Sequence, residues 1–161
     1  MISKYLTMTW TYQGKIINEL HDMPEGTHGF IYKITNGLTG EYYIGKKQVQ
    51  STRKRKFGKK ETAALTDKRM KRYEMVTKES NWVDYRSSNK TVSGWFDKDG
   101  RPNPTSNDTI ELKILKFCGN KKSLTYYELQ EQFSHNVLAD ELSLNDNLYQ
   151  INFVYLFINP N

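Results

Sequence analysis

Two tyrosines and a dense run of cations are the residues with chemistry to offer. Tyr32 closes Gly29-Phe30-Ile31-Tyr32 and Tyr43 opens Tyr43-Ile44-Gly45, 11 positions later. Between them Asn36-Gly37 and Gly40 supply the backbone freedom of a tight turn. On adjacent antiparallel strands this spacing lets both phenols lie on one face, within reach of one site. Eight basic residues and no acid follow between 46 and 60: Lys46, Lys47, Arg53, Lys54, Arg55, Lys56, Lys59 and Lys60. Cations so concentrated suit phosphate. Cys118 is the one cysteine, which excludes an internal disulfide and any cysteine-based zinc site. His21, His28 and His135 are dispersed and lack ligand spacing. A metal used here would therefore take oxygen ligands, which favours Mg²⁺ or Mn²⁺.

Charge is distributed unevenly along the chain. Of 161 residues with net charge +6, the first 104 carry +9 and the remainder −3. Such asymmetry points to one face built for a polyanion. No run approaches the roughly 20 apolar residues of a membrane helix, and the N-terminus lacks the apolar core of a signal peptide. A cytoplasmic protein with no membrane contact is expected.

The elements that must position these groups are those of an α/β domain, a small antiparallel sheet flanked by helices. A β-hairpin at 29–47 and a strand at 109–117, where Ile110, Leu112, Ile114 and Leu115 alternate with polar residues, form the sheet. Residues 5–18 read as a strand or hairpin. The basic run would stay extended or disordered through self-repulsion, and 61–79 reads as a polar surface helix. A short helix beside a loop is expected at 81–96, and an exposed loop at 97–107. Thr125 and Glu128 form a T-x-x-E capping box opening a helix to about 139, with Tyr126, Leu129, Phe133 and Val137 at helical spacing. Residues 145–147 (NDN) are a turn, and 151–161 a final strand or tail. The whole, 1–161, is one domain, with 1–25 as an N-terminal extension and 26–150 as the core. Trp82, Trp95 and Phe96 have rings suited to stacking on bases, although burial in a small core is their commoner use. His135 is expected on the helix surface and Cys118 buried in its strand.

The hairpin resembles the GIY-YIG nuclease family, phage-borne or homing-endonuclease-like, with Phe30 where that family has a glycine. An arginine eight positions after the YIG glycine, as the family expects, is here Arg53, with Arg55 as the near alternative. The resemblance spans about 26–150 and implies that Glu128, with Glu131 as runner-up, holds one Mg²⁺ or Mn²⁺, and that Asn147 orients substrate or braces the carboxylate. It implies hydrolysis of DNA phosphodiester bonds. Arg53 would grip a phosphate oxygen through its planar fork, and Tyr32 and Tyr43 would deprotonate or orient the attacking water. Lys46, Lys47, Lys54, Arg55, Lys56, Lys59 and Lys60 would bind DNA. Cationic surroundings would lower the Tyr32 phenol toward a useful base, or a neutral phenol would orient a metal-activated hydroxide; the residues allow both. The family's histidine or tyrosine after the arginine has Tyr73 as its nearest counterpart. Asp84-Tyr85-Arg86-Ser87-Ser88-Asn89-Lys90 is similar to a segment of phage-borne members, with Arg86 where they commonly have glycine. No separate recognition domain fits in the chain, so a homodimer or a specificity partner would supply selectivity. A catalytically silent DNA-binding module of this fold and a basic protein-interaction domain are the alternatives.

Overall fold

The computed structural model describes residues 8–103 and 110–146. Asn147 and the tail 151–161 therefore lie outside the described residues. The strands are β1 (Trp10–Tyr12), β2 (Lys15–Ile17), β3 (Gly29–Asn36), β4 (Tyr42–Gln48), β5 (Gln50–Lys56), β6 (Tyr73–Glu79) and β7 (Ile110–Cys118). The helices are α1 (Lys59–Ala63), α2 (Lys90–Ser93) and α3 (Lys121–Ser134). Five strands form a mixed but mostly antiparallel sheet in the order β2-β1-β7-β3-β4, and β5 pairs with β6 as a separate ribbon. This is the α/β class expected from the sequence.

β3 lies between β7 and β4 and is buried on both faces. Its alternation sorts two layers. Phe30, Tyr32 and Ile34 join Trp10, Trp82, Val92 and Ile114 on one face. Ile31 joins Tyr42, Ile44, Cys118 and Leu124 on the other, beneath α3. Period-two alternation fixes this register, because a one-residue slip would exchange the two sets. Between β3 and β4 only Gly40 adopts positive φ, at 78°. Asn36 closes the turn instead, its Oδ1 accepting from Leu38 N at 3.0 Å.

Three expectations change, and one narrows. Residues 10–17 are not part of an extension: β1 pairs with β7, and Trp10 is 1% exposed within the core. Of the extended and disordered states expected for the basic run, it takes the extended one. It forms β5, whose self-repulsion is relieved by Glu74 and Glu61, both hydrogen-bonded to Arg55. Residues 61–79 form no long surface helix, since β-formers around Tyr73, Met75 and Val76 pair as β6 with β5. Finally, α3 starts at Lys121, not at Thr125. Asn120 is its N-cap, accepting from Ser123 N at 2.8 Å, and it ends where Asn136 takes φ 50°.

The face that α3 buries also differs from the expected one. Tyr126 and Phe133 are 62% and 64% exposed, while Leu124 and Gln132 are buried. The cause is the sheet edge. β4 has no strand beyond it, so its carbonyls need polar partners, and Gln132 Nε2 donates to Ile44 O at 3.2 Å. Trp82, Trp95 and Phe96 are core residues, as is Cys118 in its strand. No helix among the described residues is long and apolar enough to cross a membrane.

Candidate active site

Tyr32 and Tyr43 share a sheet face, their ring centroids 6.3 Å apart at 40°. The register explains the meeting: Tyr32 pairs with Gly45, and Ile34 pairs with Tyr43. With no side chain at Gly45, the Tyr32 ring lies across its backbone. A Cβ there would stand 2.5 Å from Tyr32 Oη and 2.8 Å from Tyr43 Cε1. Trp10 and Tyr85 hold the Tyr32 ring from other sides, with centroids 5.3 and 5.9 Å away.

The phenol protons are held, not displaced. Tyr32 is 1% exposed, and its Oη donates to Ser87 Oγ at 3.3 Å. Burial pushes its pKa well above the ordinary 10.0, with Tyr85 adding to the shift. Tyr43 is half-buried, and burial followed by the nearby charge of Glu128 raises it too. Both shifts run opposite to the lowering that cationic surroundings would produce, because desolvation of a phenolate outweighs them.

Glu128 arrives from α3, which packs on the opposite face, and reaches the rim of β4. Its Oε2 lies 2.8 Å from Lys46 Nζ, and its side chain is 13% exposed. Lys46 also donates to Thr125 Oγ1 at 3.2 Å. Because Glu128 lies inside the helix and not at its start, no capping duty competes for the carboxylate. Glu131 is turned elsewhere, 3.6 Å from His135 Nδ1, and His135 is partly buried on that side of α3.

The cations divide into three kinds. Lys47 donates to Asn81 Oδ1 at 2.8 Å and lies 4.0 Å above the Tyr85 ring; burial lowers its pKa. Arg55 is bound into the ribbon by Glu61 and Glu74, pairings that hold it above its ordinary pKa. Arg53 pairs with Val76 on the ribbon, exposed and in no ion pair among the described residues. Lys54, with its Nζ 4.7 Å over the Tyr73 ring, and Lys56, Lys59 and Lys60 are exposed on the same ribbon and its tip. Tyr73 thus packs with Lys54 on the ribbon, away from the Tyr32–Tyr43 pair in the fold.

Two groups of residues were missed by the sequence. Asn145, buried, accepts from Ile44 N at 2.9 Å and donates to Ile44 O at 2.8 Å, bracing β4 beside Tyr43. The signal was present in the 145–147 turn, whose first asparagine, Asn145, does this work. Arg86 and Ser87 form the second group. The Arg86 guanidinium donates to the carbonyls of Val83, Tyr85, Gly100 and Met8, which ties the covering segment together. Ser87 holds φ 83°, and its Oγ also accepts from Asn89 N at 3.1 Å.

Residues 10–154 match the protein family described as "Putative endonuclease segE, GIY-YIG domain". The chain belongs to the GIY-YIG nuclease family. The match begins at Trp10, where β1 begins, so the first hairpin belongs to the GIY-YIG unit together with the Tyr32–Tyr43 pair. No curated protein and no solved structure matches the chain significantly.

Proposed function

We propose that this GIY-YIG protein is a DNA endonuclease that hydrolyses phosphodiester bonds with one Mg²⁺ or Mn²⁺. The observation that carries the reading is the pair of phenols that meet over Gly45, with the Glu128 carboxylate acting on Tyr43 at the same strand edge.

The residues present suit a hard divalent cation. The described residues contain no cluster of three or more His, Cys, Asp or Glu side chains, so Glu128 would hold the ion by one carboxylate, with phosphate oxygens and water completing its shell. When bound, such an ion supplies charge stabilisation at the scissile phosphate and the leaving oxygen. The chain's own groups do the rest. Tyr43, half-buried and held protonated by burial, acts as a neutral phenol that hydrogen-bonds and orients the attacking water, and Tyr32, buried beside it, holds that ring in place. Lys46 steadies the carboxylate. Arg53 places its planar fork on a non-bridging oxygen, which lysine cannot imitate. Asn145 keeps β4, and with it Tyr43, in position.

Nicking of supercoiled plasmid with and without Mg²⁺ tests the proposal. Wild-type protein nicks only with the cation. Glu128→Ala and Arg53→Ala each lose nicking while keeping the fold and most DNA affinity. Full activity in both variants refutes the assignment. DNA binding without cleavage in either cation would instead make the chain a silent binding module.

A further inference from the structure

The β5–β6 ribbon is an arm. It joins the core at buried Val49, whose N donates to His28 O and whose carbonyl accepts from Ser80 N. Beyond that point its strands hydrogen-bond to each other and to no strand of the main sheet. Every residue from Ser51 to Lys56 is exposed, so neither face is committed to the core. An isolated two-stranded ribbon is only marginally stable in water, and this one carries an extreme charge. Residues 50–79 hold eleven Lys and Arg against four Asp and Glu, a net of +7. The other 131 residues therefore total −1, and the basic character of the protein resides in the arm.

The charge is heaviest at the far end. Seven cations lie between Lys56 and Arg72, against Glu61 and Asp67. Glu61 is already taken by Arg55, and Asp67 Oδ1 accepts from Arg69 N at 2.8 Å. The two halves of the tip are held side by side, Phe57 N donating to Arg72 O at 2.9 Å. None of the seven makes an ion pair among the described residues. Like charges crowded at a tip repel one another and lower stability unless a polyanion is their partner.

We propose that the arm's tip, centred on Lys59, Lys60, Lys68 and Arg69, is a second phosphate clamp that grips the same duplex away from the bond that is cut. A strand of seven residues spans about 20–24 Å, and at 3.4 Å per base step the clamp meets DNA about six base pairs from the ribbon's base. Arg53 and the tip then have separate duties, the first at the reacting phosphate and the second at anchorage. The inference rests on the nuclease reading above and names how that site holds its substrate.

The test replaces Lys59, Lys60, Lys68 and Arg69 together by Gln, with a Lys/Arg-exchanged version as control. On a 30-base-pair duplex, four lost contacts reduce the slope of log affinity against log salt by about 3.6. Between 50 and 200 mM salt the wild type then loses on the order of 10²-fold more affinity than the variant. The exchanged version keeps the wild-type slope. A Gln variant with the wild-type slope and affinity on the long duplex overturns the clamp while leaving the nuclease reading intact. A wild type that neither binds nor nicks DNA overturns that reading first.

Discussion

Adding one methyl group at Gly45 is the most direct test of how the site is built. A Cβ at this position lies 2.5 Å from Tyr32 Oη, 2.7 Å from Tyr32 Cζ and 2.8 Å from Tyr43 Cε1. Carbon contacts settle near 3.5 Å, so both rings must withdraw by about 1 Å. Tyr32 has no room to do so. It is 1% exposed, with Trp10, Phe30 and Tyr85 around it. Overpacking of this kind costs about 2 kcal/mol, and for a chain of this size that lowers Tm by about 4–8 °C. A 1 Å misplacement of a group that orients the water costs about 10²-fold in rate. Gly45→Ala should therefore melt lower by calorimetry and nick plasmid about a hundredfold more slowly, while binding DNA normally through its distant cations. Gly119→Ala is the matched control, because its Cβ would meet nothing nearer than 3.9 Å. A Gly45→Ala protein with wild-type Tm and rate would show that the ring does not need the glycine.

Further expectations concern the phenols and their holders. Because Tyr32 ionises well above 10.0, the cleavage rate should show no tyrosine inflection between pH 7 and 9. An inflection there that disappears in Tyr32→Phe would reinstate a phenolate base. Tyr42, raised to about 12 by burial and Asp140, stabilises the fold fully below pH 10. Thermal stability should fall as pH rises from 10 to 12, and less so in Tyr42→Phe; equal loss in both would remove Tyr42 as the cause. Ser87 adopts positive φ, which costs a non-glycine residue about 1–2 kcal/mol. Ser87→Gly loses the hydroxyl but relieves that strain, whereas Ser87→Ala only loses, so the Gly variant should melt about 2–8 °C above the Ala variant. The reverse order would mean that φ at this position is not strained.

What could be read in the chain depended on whether a contact was local. Tyr32, Gly45 and Tyr43 sit in one hairpin whose alternation and turn are written in 19 residues, so their common face was legible. The strand at 110–118 was legible for the same reason. α3 was misplaced because a T-x-x-E pattern competes with an equally good Asn120–Ser123 cap five residues earlier, and propensity does not separate them. Its buried face was misread because Gln132 is turned inward to donate to the Ile44 carbonyl, 88 positions away on the outermost strand. The ribbon was missed because eight cations look self-repelling until Glu61 and Glu74 are brought to Arg55 by pairing. The pKa direction of Tyr32 was equally hidden, since it depends on how deeply Trp10 and residues 82–87 bury the ring.

The segment after α3 behaves as a stand-in strand. Leu142 O accepts from Tyr42 N at 2.9 Å, Leu144 N donates to Tyr42 O at 2.8 Å, and the Asn145 amide saturates the backbone of Ile44. A protein ended just before Leu142 would bare a row of unsatisfied amides along the outermost strand, ready to dock onto a second molecule. Self-association into insoluble material, more than lost folding, is the outcome that four short residues at this rim prevent.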